Sequence, residues 1–214
     1  MKPMATVYID AFNLYRRALQ GTPYGCLDVR AMCEQMLTSF DVGSIKYFTA
    51  HVKAPKSDPQ MALRQRTYLE ALQTHSGVEI HLGQFRRDRR WMELHPYEED
   101  EDGIPVKVQV RKTEEKGSDV NLATHLVWDA LHRASDAFVV LSNDSDLVTP
   151  IRRLVQEKGA LVGIISPVAH PSRALMGTGA FQKQLRQGVL ANSQLPNPVR
   201  DGEGRIWRRP ESWW

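Results

Sequence analysis

With 214 residues, 42% of them hydrophobic and 25% charged, the chain can bury the core of one α/β domain with additions and needs no disulfide staple. Its formal charge of +3 does not mark a nucleic-acid binder by electrostatics alone, so the distribution of charge matters more than the sum. Cys26 and Cys33 lack the C-x-x-C spacing of a zinc or redox site, the N-terminal apolar run is too short for a signal peptide, and no stretch reaches bilayer length, so the expectation is a cytoplasmic protein with two free thiols and no membrane segment.

Strand and helix signals alternate, which predicts a mostly parallel sheet covered by helices. The run Ala5 to Ile9 is the first strand, and Asp10 ends it. A helix follows from about Ala11 to Leu19, then a break at Gly21, Pro23 and Gly25, then a helix from Asp28 to Ser39. Ile45 to Val52 reads as the second strand, residues 58–75 as a helix ended by Gly77, and Val78 to Leu82 as the third strand. Residues 83–117 interrupt this rhythm with an arginine cluster (Arg86, Arg87, Arg89 and Arg90), Trp91, an acidic run from Glu98 to Asp102, and an alternating segment from Ile104 to Val110. They predict an inserted excursion, in the form of a hairpin, and long structured excursions are often functional.

Ser118 to Arg133 is the clearest helix, with Val120, Ala123, Val127, Ala130 and Leu131 on one face and Leu122 and Leu126 beside it. Ala137 to Leu141 and Ala160 to Ile165 are continuous apolar runs, as central strands buried on both faces require. Between them a helix runs from about Ser145 to Lys158, with Gly159 as its C-cap. Signals weaken after Pro167. The domain is drawn at 1–190, and residues 191–214 form an Arg- and Trp-containing tail, expected to be partly disordered or draped on the body.

Chemistry concentrates in carboxylates at strand ends. Asp10 closes the first strand, Asp119 opens the clearest helix, and Asp144 and Asp146 follow the run that ends at Leu141. In a parallel sheet the carboxyl ends of the strands share one edge, where ligands bind. Several acids gathered there repel one another unless a cation neutralises them, and a hard all-oxygen donor set suits Mg²⁺ or Mn²⁺. Each acid also has a plain structural role available, since Asp caps helix N-termini and is favourable in a first turn.

The same residues resemble a known family. Tyr8-Ile9-Asp10-Ala11-Phe12-Asn13-Leu14, Lys116-Gly117-Ser118-Asp119-Val120-Asn121-Leu122 and Leu141-Ser142-Asn143-Asp144-Ser145-Asp146-Leu147 are similar, in order and separation, to the three motifs of NYN-domain proteins of the LabA-like branch. The resemblance covers about residues 4–166. It implies a PIN-like three-layer α/β sandwich and a Mg²⁺- or Mn²⁺-dependent ribonuclease. Asp10, Asp119, Asp144 and Asp146 would then be the metal-binding and catalytic acids. Asn13 would orient Asp10 or contact substrate, and Ser142 would shape the loop on the substrate side. Asn143 stands where the family usually has Gly, and Leu147 where Phe is common.

Lys116 could reach a substrate phosphate, while Glu114 and Glu115 read as surface charges. Arg86, Arg87, Arg89, Arg90 and Trp91 combine phosphate-binding charge with a stacking ring, as single-strand RNA binders do. The tail around Arg205–Pro210, with Trp213 and Trp214, invites the same reading or a role in docking a protein partner or a second copy. The seven histidines show no ligand spacing. Two other readings compete. One is a PIN-like module that binds RNA or protein with little or no turnover. The other rests on Asp144-Ser-Asp146, which resembles the nucleophile loop of haloacid-dehalogenase phosphatases but comes late in the chain and leaves Asp10 without a role.

Overall fold

The computed structural model describes residues 1–210, so Trp213 and Trp214 lie outside the described residues. In chain order the elements are β1 (Met4–Asp10), α1 (Ala11–Leu14) running into a π-helical turn (Tyr15–Leu19), α2 (Val29–Met36), β2 (Asp41–Thr49), α3 (Met61–Ser76) and β3 (Glu79–Leu82). Next come β4 (Gln84–Glu93), β5 (Lys107–Lys116), α4 (Ser118–Leu131), β6 (Ala137–Leu141), a 3₁₀ turn (Ser145–Leu147), α5 (Val148–Lys158) and β7 (Val162–Ser166). The chain closes with α6 (Arg173–Met176), β8 (Phe181–Gln184), α7 (Gln187–Asn192), β9 (Val199–Arg200) and β10 (Ile206–Trp207).

Six strands form one sheet in the order β3-β2-β1-β6-β7-β8, and every neighbouring pair in it is parallel. Alternation along β1 divides the core. Ala5, Val7 and Ile9 pack with α1, α2 and α3, whereas Tyr8 packs with Leu122 and Leu126 of α4 and with Ile151 and Leu154 of α5. Helices therefore cover both faces, as the expected PIN-like sandwich requires. From β1 the chain winds outward through β2 and β3, then returns to β6 and winds the other way. The winding direction thus reverses between β1 and β6, and the carboxyl ends of those two strands flank the crevice where such sheets bind ligands.

Two sequence expectations change, and a third holds. The helix α4 does not bury the Val120–Leu131 face: its buried residues are Ser118, Leu122, Leu126 and Asp129, while Val120, Trp128 and Leu131 are more than half exposed. The reason is polar. The Asp129 carboxylate accepts from the Tyr8 hydroxyl at 2.6 Å and from Lys46 Nζ at 2.5 Å, and this buried network sets the helix's rotation against the sheet. The inserted excursion is a hairpin, as expected, with Gln84–Glu93 paired to Lys107–Lys116 over their whole length in an antiparallel ribbon. After Pro167, where pattern failed, β8 adds a sixth strand beside β7.

The described part of the tail, residues 191–210, is draped on the body. Leu195 and Val199 join the main core, β9 and β10 form a small hairpin, and Trp207 Nε1 donates to Glu70 on α3 at 2.9 Å. Cys26 and Cys33 are both free and buried, and burial pushes the Cys33 thiol up to about 12, which makes it unreactive. No helix among the described residues is long and apolar enough to cross a membrane.

Candidate metal centre

Asp10, Asp119 and Asp144 come from three distant motifs, and fold topology brings them together. Asp10 is the last residue of β1, Asp144 lies three residues beyond β6, and Asp119 is in the first turn of α4. Each offers a carboxylate oxygen within 4.8 Å of the other two. Asp10 is buried, Asp144 half-buried and Asp119 exposed, so the cluster opens from the sheet edge toward solvent. Asp146 is not a member of this trio. It is exposed on the 3₁₀ turn, near enough for its charge to act on Asp119.

The structural and chemical readings of these acids coexist. One oxygen of Asp10 accepts from the Asn13 backbone N–H at 2.9 Å and caps α1, and Asp144 Oδ1 accepts from the Asp146 N–H at 3.0 Å and caps the 3₁₀ turn. A single hydroxyl couples the two acids. Ser142 Oγ donates to the other Asp10 oxygen at 2.9 Å and accepts from the Asp144 N–H at 3.0 Å. Ser142 is fully buried, so it shapes the site rather than facing substrate. Ser142→Ala removes both bonds at once. Its expected effect is a 10- to 100-fold loss of Mn²⁺ affinity by titration calorimetry, roughly what removing a group that orients a ligand costs.

Asn13 works through its side chain on the neighbouring loop. Its Oδ1 accepts from the Asn143 N–H at 3.3 Å, and Asn143 Oδ1 accepts from the Ser172 N–H at 2.7 Å. Asn143 needs no left-handed backbone, since Arg133 is the one non-glycine residue with positive φ among the described residues. The Gly-to-Asn departure therefore adds a tether between the site and the start of α6.

Burial and mutual repulsion disfavour the ionised forms of Asp10 and Asp119. Burial, then the charges of Asp144 and Glu115, outweigh the two hydrogen bonds on Asp10 and raise its pKa. Burial and the charges of Asp10, Asp144, Glu115 and Asp146 push Asp119 up to about 6. A carboxyl raised above its unfolded value costs stability when ionised. The cost appears as pH climbs from about 4 and is complete above about 6. In metal-free protein at pH 7.5, Asp119→Asn should therefore raise the melting temperature by about 2–4 °C, a gain of about 1 kcal/mol after discounting for solvent screening. Calorimetry in chelator should show that gap closing below about pH 4.

The acids line an open cleft of about 440 Å³ whose other walls are Phe12, Arg16, Arg17, Phe85 and the stretch Thr113–Lys116. Glu115 belongs to the site and is no surface charge. Its Oε1 accepts from the Ser118 N–H at 3.0 Å, which caps α4. Lys116 stands on the rim, with its Nζ 3.3 Å from Glu114. Arg16 and Arg17 escaped the sequence reading. They follow Asn13 at spacings of three and four, which on a helix puts them on its face, and that spacing was the available signal.

The four arginines read as one cluster are not equivalent. All lie on β4 with Trp91, and strand alternation puts Arg86 and Arg90 on one face and Arg87, Arg89 and Trp91 on the other. The ribbon is held close to the cleft. Gly83 leaves no room for a side chain, because a Cβ there would lie 2.8 Å from the Lys116 carbonyl oxygen and 3.0 Å from the Ser118 nitrogen.

Comparison with known proteins bears on family and fold. The model of the NYN domain matches residues 5–179. A curated relative, 6-hydroxy-3-succinoylpyridine 3-monooxygenase HspA of Pseudomonas putida (strain DSM 28022 / S16), is 27% identical over 241 aligned positions that cover 100% of this chain and 76% of that protein. Among solved structures, a protein of unknown function from Vibrio parahaemolyticus RIMD 2210633 superposes with a TM-score of 0.57 at 18% identity. That match covers 87% of this chain and 94% of that one, and it is a likeness of fold.

Proposed function

This chain belongs to the NYN-domain family, and from that premise we propose that it is a divalent-metal-dependent ribonuclease acting on single-stranded RNA in the cytoplasm. The observation that carries the reading is the approach of Asp10, Asp119 and Asp144 within 4.8 Å. Three carboxylates at that separation repel strongly, and no ammonium or guanidinium among the described residues is paired with them. The donor set is all carboxylate oxygen, which suits Mg²⁺ or Mn²⁺ and lacks the His or Cys that softer metals favour. A bound divalent cation would supply Lewis-acid activation of the phosphodiester and of water.

The chain's own residues have separable roles in this reading. Ser142 and the Asn13 N–H fix both oxygens of Asp10, so its orientation is set before any ligand arrives. Asp119, pushed up to about 6 by burial and its acidic neighbours, would be held ionised by a bound cation and would complete the carboxylate set. Asp146 adds negative charge at the edge. Arg16 and Arg17, exposed on the cleft wall, would hold substrate phosphate, and Lys116 would share that role if it leaves Glu114. The Trp-containing tail would serve a protein partner or a second copy. Incubation of a labelled single-stranded RNA with purified protein and Mn²⁺ should yield shorter products, and chelator should stop it. Tight RNA binding with no cleavage in either metal would favour a non-catalytic module.

A second reading has its own observation. A cavity of about 170 Å³, walled mostly by apolar and aromatic side chains such as Phe12, Tyr15, Tyr47 and Leu69, with the Arg64–Asp58 ion pair also on its lining, shares Phe12 with the acidic cleft. A small aromatic ring would fit such walls, and the curated relative is named for oxygenation of a substituted pyridine. Incubation with 6-hydroxy-3-succinoylpyridine, a reductant and air decides between them. A hydroxylated product without RNA cleavage would replace the nuclease reading.

A further inference from the structure

We propose that one face of the β4–β5 ribbon, bearing Arg87, Arg89, Arg111 and Trp91, is the track that carries a single-stranded nucleic acid into the acidic cleft, and that Arg86, Arg90 and Lys112 of the opposite face take no part. The inference rests on the nuclease reading for its direction toward the trio. Its own foundation is the strand register.

Residues directly opposite in an antiparallel pair share a face. Phe85 is opposite Glu115, Arg87 opposite Thr113, Arg89 opposite Arg111, and Trp91 opposite Gln109. This face is continuous with the site. Phe85, Thr113 and Glu115 line the acidic cleft, and the Phe85 ring packs edge-on against Phe12, with centroids 5.7 Å apart. From Phe85 to Trp91 the face extends roughly 20 Å, at about 3.3 Å per residue, which is room for several nucleotides.

Charge separates the two faces. On the far face, Asp88 is opposite Lys112 and Arg86 is opposite Glu114, although Arg86 itself makes no ion pair among the described residues. Lys112 pairs with Glu114, Lys116 lies 3.3 Å from Glu114, and Arg90 lies 3.8 Å from Asp88 and 3.9 Å from Glu114. Glu114 and Lys116 also reach the cleft rim, but they are engaged with each other. On the track face, Arg87, Arg89 and Arg111 make no ion pair among the described residues; Arg87 Nε reaches only the Thr113 hydroxyl, at 3.3 Å. Arg89 and Arg111 stand directly opposite each other, and like charges so placed destabilise a ribbon. A two-stranded ribbon exposed on both faces has little stability to spare. A polyanion laid along this face relieves that repulsion, and the Trp91 ring, 66% exposed, offers a stacking surface for a base. A duplex presents its phosphates but no open base face, so the tryptophan selects for a single strand.

The test is fluorescence anisotropy in chelator, with labelled oligouridylate and oligothymidylate of about twelve nucleotides. The combined variant Arg87→Ala, Arg89→Ala, Arg111→Ala should bind at least one of them about tenfold or more weakly. Its slope of log affinity against log salt should fall by about 2, at roughly 0.7 for each phosphate no longer neutralised. The combined variant Arg86→Ala, Arg90→Ala, Lys112→Ala removes equal charge from the other face and should stay within about twofold of wild type. Trp91→Ala should cost roughly tenfold for the single strands. Circular dichroism melts must show all three variants folded. Equal losses from the two faces, a track-face variant that binds normally, or equal displacement by duplex of the same length would overturn the proposal. Binding is read without metal, so the two readings fail separately. Cleavage with affinity independent of the track sinks this proposal alone, and track-dependent binding without metal-dependent cleavage sinks the nuclease alone.

Discussion

Asp10→Asn should lower Mn²⁺-dependent cleavage of single-stranded RNA by about 100- to 1000-fold, the range for removing one preorganised electrostatic interaction from an active site. The substitution is nearly isosteric, so an amide oxygen can still accept the Asn13 N–H and keep α1 capped. What it loses is charge at the buried corner of the trio, where Asp10 is only 5% exposed and water cannot stand in for a ligand. Removing that charge also removes one repulsive partner of Asp119, so the Asp119 pKa should fall toward the ordinary carboxyl range. The variant should therefore melt no lower than wild type in chelator while losing activity. Cleavage assays at matched protein concentration, alongside thermal melts, check both halves. Retained cleavage contradicts the site assignment, and a collapse of the fold would reduce Asp10 to a structural cap.

The opposite behaviour is expected of another buried acid, Asp129. Asp129→Ala should destabilise the protein by about 3–5 kcal/mol, because it strands a buried cation. Lys46 and Asp129 side chains are only 14% and 12% exposed, and the Tyr8 hydroxyl, fully buried, has Asp129 as its acceptor. The expected fall in melting temperature is about 10 °C or more. Burial raises the Asp129 pKa, but the Lys46 and Tyr8 hydrogen bonds and the Lys46 charge outweigh it and hold the carboxyl below its usual range. With a folded pKa below the unfolded one, this stabilisation is complete above about pH 4 and is lost as pH falls through the depressed value. The gap between wild type and variant should be flat from about pH 5 to 8 in denaturant melts and narrow only in acid. A stability effect that tracked Asp119 instead would mean the two acids share one network.

Local chemistry made much of this molecule legible in its sequence. The apolar runs of β1 and β6 each end near an aspartate, and parallel-sheet geometry alone puts Asp10 and Asp144 on one edge. Gly77 and Gly159 stop their helices with positive φ, as their positions suggest. Features decided by tertiary partners were not legible. The excursion read as a hairpin, but the length and register of Gln84–Glu93 follow only from its ten-residue pairing with Lys107–Lys116. The orientation of α4 follows from Lys46 and Tyr8 meeting Asp129, residues 83 and 121 positions away. The membership of the acid trio was ambiguous for the same reason. A first-turn Asp119 is easily explained as a helix-end charge, and Asp146 shares a motif with Asp144, yet α4 brings Asp119 to the cluster while the 3₁₀ turn leaves Asp146 outside it.

A crystal of this protein soaked in Mn²⁺, with anomalous density mapped around the cleft, tests the central claim most directly. A manganese peak within coordination distance of Asp10, with Asp119 or Asp144 completing the carboxylate set, is the predicted result. Absence of a peak at saturating Mn²⁺, with the three carboxylates turned apart from one another, would contradict a metal-dependent nuclease centre.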